Sequence, residues 1–162
     1  MRDLLKEVAV LLMALAVFLV GFHREVRAEP PETLAGLKRL HALQGEEAAR
    51  AVNRLHGKQV AEKGGYVAHY EKDGVVAMLY VSKTSSSDQA SRQVKQMSKR
   101  IEQGNTPFFH LKASKRGETT VYSTLGEDRI HYFYQRDSEV IWLAVDPPVA
   151  RQALADLLKW AQ

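Results

Sequence analysis

The sequence has no cysteine among its 162 residues. That excludes a disulfide framework, a thiolate metal site, thioether attachment of haem and a cysteine nucleophile. Proline is scarce, and four of its five residues stand as the pairs Pro30-Pro31 and Pro147-Pro148, where they punctuate the chain rather than interrupt an element. No block of five like charges occurs, and the net charge is only +4, so nucleic acid is not an expected partner. Several chemical signatures are missing: a phosphate-cradling glycine loop, a Gly-x-Ser-x-Gly elbow, His-Glu-x-x-His and a calcium loop. The five histidines from His41 to His131 include no pair at ligand spacing, so neither a metal nor a cofactor is expected and no catalytic residue is assigned. An enzyme whose site is assembled from scattered residues stays open as an alternative.

Residues 1–28 read as a signal peptide or an N-terminal anchor. Arg2 and Lys6 precede an apolar run from Val8 to Phe22, and Val26-Arg27-Ala28 forms a plausible cleavage site before Glu29. The run spans about 22 Å as a helix, short of the roughly 30 Å hydrocarbon core. The chain is therefore expected to be exported, to the periplasm or cell envelope, with membrane contact only through this segment if it stays attached. Residues 29–45 read as a linker and N-terminal segment, and 46–162 as one α+β domain. Residues 29–162 carry a net charge of +3.

Leu34, Leu37, Leu40 and Leu43 recur every third residue and predict a short helix or 3₁₀ segment. Ala48, Val52 and Leu55 form a stripe that predicts a helix ending at Gly57, with His56 and Lys58 placing positive charge near its negative end. An anion held by His56 and Lys58 is the functional alternative for that Leu55-His56-Gly57-Lys58 motif. Asp73-Gly74 between two β-rich runs predicts a hairpin in which Tyr66, Ala68 and Tyr70 face Val81, Leu79 and Ala77. Ala90, Val94, Met97 and Ile101 predict a second helix after an N-cap within Ser85–Asp88. A possible edge strand over 107–112, a strand over 118–125 and a hairpin turning about Asp137-Ser138 follow. Asp146-Pro147-Pro148 then starts a final helix with an apolar stripe through Leu154 and Leu157. The expected fold is α+β: one antiparallel sheet of about five or six strands with helices packed mainly on one face.

The blocks Gly45-Glu46-x-Ala48, Leu55-His56-Gly57-Lys58, Tyr66-Val67-Ala68, His131-Tyr132-Phe133-Tyr134 and Ile141-Trp142-Leu143-Ala144 resemble those of small exported bacterial proteins of unknown function. The resemblance covers most of residues 43–158. It implies an exported domain and no particular activity.

Two surfaces are candidates for function. The hairpin registers place His69, Met78, Tyr80, His131, Phe133 and Trp142 on the sheet face opposite the main core, too apolar a set to be left in water. Either Leu34, Leu37 and Leu40 fold over that face, or it is a groove for an apolar ligand, with Trp142 as its floor and His69 and His131 as polar anchors. The second candidate is the stretch from Arg92 to Arg116. Arg92, Lys95, Lys99, Arg100, Lys112, Lys115 and Arg116 stand there against the lone acid Glu102, a local charge of +6. These seven fit an anionic surface or an acidic envelope protein, against the simpler reading that they are a solvated face. The function expected is non-enzymatic binding of a partner or ligand in the cell envelope. The alternative without a free ligand is an accessory subunit of an envelope complex.

Overall fold

The computed structural model describes residues 29–160, so the predicted signal segment lies outside the described residues. Its centre is a single antiparallel sheet of eight strands in the order β1-β2-β3-β4-β8-β7-β6-β5. In chain order these are β1 (Thr33–Leu34), β2 (Leu37–Gln44), helix α1 (Gly45–His56), β3 (Gly65–Lys72), β4 (Val75–Lys83), helix α2 (Ser87–Glu102), β5 (Phe109–Arg116), β6 (Thr119–Gly126), β7 (Arg129–Arg136), β8 (Glu139–Val145) and helix α3 (Ala150–Lys159). The chain makes one meander up to β4, crosses to the far edge through α2, and makes a second meander back to the middle. There β8 pairs with β4, Leu79 opposite Leu143 and Tyr80 opposite Trp142.

The sheet exceeds the expected five or six strands because Leu34–Leu43 is strand and not helix. The three-residue leucine spacing comes from a β-bulge at Leu40, between the pairs Arg39↔Tyr70 and His41↔His69. An extra residue reverses the in–out parity of a strand. Leu37 therefore joins one core, Leu43 packs on the other face, and Leu40 itself is exposed. The Asp73-Gly74 turn has positive φ at both positions and sets Tyr66↔Val81, Ala68↔Leu79 and Tyr70↔Ala77, while the second hairpin sets Phe133↔Trp142 and Tyr134↔Ile141.

The helices also divide between the faces instead of gathering on one. α3 closes one face, where Leu34, Leu37, Tyr70, Leu79, Ile141, Leu143, Leu154 and Leu157 form the largest core. Residues 29–35 are tied to that side by the Tyr70 hydroxyl donating to Pro31 O, Arg39 donating to Pro30 O, the Ala35 N–H donating to Asp156 and the Trp160 indole donating to Glu29 O. The N-terminal leucines therefore do not cover the opposite face. α1 and α2 do. α1 rests on β2, β3 and β4, and α2 rests on β5, β7 and β8.

Ser86 caps α2 through its side chain, and Gly57 ends α1 in the left-handed conformation. Asp146 does not cap the final helix. Its carboxylate accepts from the Val76 N–H and from Arg129, and a 3₁₀ turn over Pro147–Val149 comes before α3.

Candidate functional site

Because α1 stands on one half of the sheet and α2 on the other, the strip over β4 and β8 lies between them as a cleft of about 490 Å³. That size falls within the range of small-molecule sites, about 300–1,000 Å³. One wall is α1, with Val52, Leu55 and His56. The other is α2, with Gln93, Gln96, Met97, Arg100 and Ile101. Tyr80, Ser82, Val140, Trp142 and Ala144 form the floor, and Phe108 closes one end. The opposite end is closed by the loop after α1. Asn53 holds that loop by accepting from the N–H groups of Val60 and Ala61, and Gln93 donates to Val60 O.

The floor is stiff. Tyr122, Phe133 and Trp142 stack across β6, β7 and β8, with centroids 5.0 and 5.1 Å apart and planes within 13° of parallel. Such pairs contribute about 0.5–1.5 kcal/mol each beyond burial. Phe108 lies across the end of the ladder, 4.8 Å from His131 and 5.1 Å from Trp142. It can do so only because residue 126 is glycine, since a Cβ there would come within 2.6 Å of the Phe108 ring.

His131 is buried and fully engaged. The Trp142 indole N–H donates to its Nδ1 at 3.1 Å, and its Nε2 lies 2.9 Å from Gly126 O. Since Nδ1 accepts, the proton is on Nε2, which donates to the carbonyl, and the ring is neutral. Burial lowers its pKa, consistent with that state. His131 thus fixes the orientation of Trp142 and has no lone pair left for a ligand.

Of the six residues expected on this face, Tyr80, His131 and Trp142 line the cleft. Phe133 is sealed beneath α2, and Met78 packs under α1 with Ala48 and Val67. His69 lies outside the cleft, its ring 5.3 Å from that of His41 and its Nε2 3.4 Å from the Glu71 carboxylate. His69 and His131 are three strand spacings apart, about 14 Å at roughly 4.8 Å each, too far to share a ligand atom. Among the described residues no group of three His, Asp or Glu side chains is placed to hold a metal.

The seven basic residues are all exposed, and none enters an ion pair among the described residues. They do not form one surface. Lys112 and Arg116 pair with Ser123 and Thr119, on the face away from α2, whereas Lys115 pairs with Thr120 on the α2 side. Arg92, Lys95 and Lys99 occupy the outer flank of α2. Arg100 is turned the other way and lines the cleft.

Lys58 and His56, the anion alternative offered by the Leu55-His56-Gly57-Lys58 motif, both line the cleft, as does Met97, which the pattern of the sequence placed only in a helical stripe. Each had a sufficient local role, as a helix terminus or as part of an apolar stripe. The charge around His56 is informative. Its pKa is lowered by burial and then by the neighbouring cations Lys58 and Arg100, which reach it from the two sides of the cleft. The acid lining the cleft, Glu127, acts instead on the Tyr80 hydroxyl together with Arg129, and burial raises that hydroxyl's pKa. No protein-family model, curated protein or solved structure matches this chain.

Proposed function

We propose that this protein is an exported binding domain that holds a small, largely apolar molecule in the cleft between α1 and α2, without performing chemistry on it. The observation that carries this reading is the half-buried aromatic floor, Trp142 and Tyr80, left uncovered between two helices. Large apolar side chains held rigid at the base of a concave site favour a ligand that removes their surface from water, at roughly 25 cal/mol per Å². The polar groups on the floor are few, and His131 is already saturated, which suits binding better than acid–base catalysis. The predicted export signal supports the cell envelope as the compartment of this binding.

Filling the cleft tests the reading. Gln96 is exposed on the α2 wall, so Gln96→Trp should obstruct the cleft and leave the fold intact. The full chain is expected to enhance the fluorescence of the neutral dye Nile red, and the variant is expected to lose most of that enhancement at unchanged thermal stability. Equal enhancement by the two proteins would reject the cleft as the site.

A second reading rests on the unpaired cations of the outer α2 flank. Arg92, Lys95, Lys99 and Lys115 lie on the same side of the sheet and suit an anionic envelope surface. Retention on anionic vesicles is then expected at low salt, weakening as salt rises and in Lys95→Glu/Lys99→Glu/Lys115→Glu. Absence of retention at low salt would leave these residues as a solvated face.

A further inference from the structure

The cleft is polarised along its depth, and this determines which apolar molecules fit it. At the mouth, Lys58 follows the end of α1 on one side and Arg100 projects from α2 on the other, with His56 between them in charge and exposed Leu55 beside it. Neither Lys58 nor Arg100 enters an ion pair among the described residues. The acid Glu127 lies elsewhere in the cleft, with Arg129, whose guanidinium is already held by Asp146 at 3.1 Å. Below the mouth the lining is Met97, Ile101, Val140, Trp142 and Phe108. Two exposed, unpaired cations, Lys58 and Arg100, against the one exposed acid Glu127 leave the rim short of negative charge, while the aromatic floor offers nothing to a charge deeper in.

We infer that the ligand is an amphiphile with one acidic head group, carboxylate or phosphate, held between Lys58 and Arg100, and an apolar body lying on Trp142 and Tyr80. This rests on the cleft reading proposed above and narrows it. A guanidinium and an ammonium approaching from opposite sides match an oxyanion with several acceptor oxygens. The same charges disfavour a cationic amphiphile.

The test displaces Nile red from the full chain with dodecanoate, dodecyl phosphate, dodecanol and dodecyltrimethylammonium, each below its aggregation concentration, in the parent protein and in Lys58→Glu/Arg100→Glu. Both substituted side chains are exposed, so the fold is expected to survive the exchange. The inference predicts that the acids displace the dye at concentrations roughly tenfold lower than the alcohol at low salt. It predicts that salt erodes this advantage and that the double variant abolishes it while leaving dodecanol unchanged. Preference for dodecyl phosphate over dodecanoate, or the reverse, identifies the head. Equal displacement by alcohol and acids, unaffected by the variant, would overturn the acidic-head inference and leave the apolar cleft standing. Preference for the quaternary amine would also overturn it. Failure of every amphiphile to displace a dye that Gln96→Trp excludes would overturn it too, whereas absence of any dye binding in the cleft would remove the parent reading instead.

Discussion

The neutral imidazole of His131 is the residue on which the geometry of the cleft most depends. It accepts from Trp142, donates to Gly126 and lies beneath Phe108, so protonating it would remove the acceptor that orients the indole. Its pKa in the fold is lowered from the ordinary 6.5, so the unfolded chain takes up the proton first. The stability supplied by the neutral ring is therefore complete above about pH 6.5 and is lost as pH falls below it. His131→Leu can neither donate to Gly126 nor accept from Trp142 and does not titrate. It should be less stable than the parent by about 1–3 kcal/mol at neutral pH, with the gap narrowing as the parent weakens towards acid. Denaturant melts across that range check this; a constant gap would mean that the fold leaves the His131 pKa unshifted, and a widening one that the fold raises it. The register pairing Phe133 with Trp142 was legible in the Asp137-Ser138 turn, and so was the shared face of His131 and Trp142. The bond between them was not, since a register says which residues share a face but not which ring nitrogen meets which neighbour.

Among the elements, α3 shows what a periodic pattern conveys and what it omits. The stripe through Ala153, Leu154 and Leu157 was enough to predict a docked helix, and those residues are buried beneath it. Leu157→Ala should cost about 2–5 kcal/mol, because Leu157 is fully enclosed among Leu34, Leu143 and their neighbours. A loss below about 0.5 kcal/mol in denaturant melts would show the helix to be peripheral. Asp146 does stand at the N-cap of the 3₁₀ turn that leads into the helix, with Pro147 and Pro148 in its first turn, but its carboxylate makes no capping bond because the Val76 N–H and the Arg129 guanidinium hold it. β2 escaped recognition for a different reason. A strand with a bulge loses the two-residue alternation that identifies it, and Leu37, Leu40 and Leu43 then imitate a helical spacing.

Across the whole molecule, the cleft follows from how two meanders join. β4 and β8 are 55 or more residues apart in sequence but pair along their length at the middle of the sheet, and each half of the chain contributes one helix to the same face. The helices sit over their own halves and leave the central strip open. Neither meander contains the cleft by itself, which is why the sequence could indicate an apolar face and its aromatic residues but not the gap between α1 and α2. Nor could it show that Arg100 parts company with Arg92, Lys95 and Lys99, because that depends on which side of α2 the other helix stands. The two tryptophans report this architecture from opposite faces: Trp142 on the cleft floor with its indole N–H on His131, Trp160 beside α3 with its indole N–H on Glu29 O. The most direct measurement is therefore a titration of the ¹⁵N-labelled full chain with dodecanoate, following the two indole N–H resonances. The account predicts that the Trp142 resonance shifts in a saturable way while that of Trp160 stays in place. A shift at Trp160 with Trp142 unmoved, or saturable binding that moves neither, would contradict it.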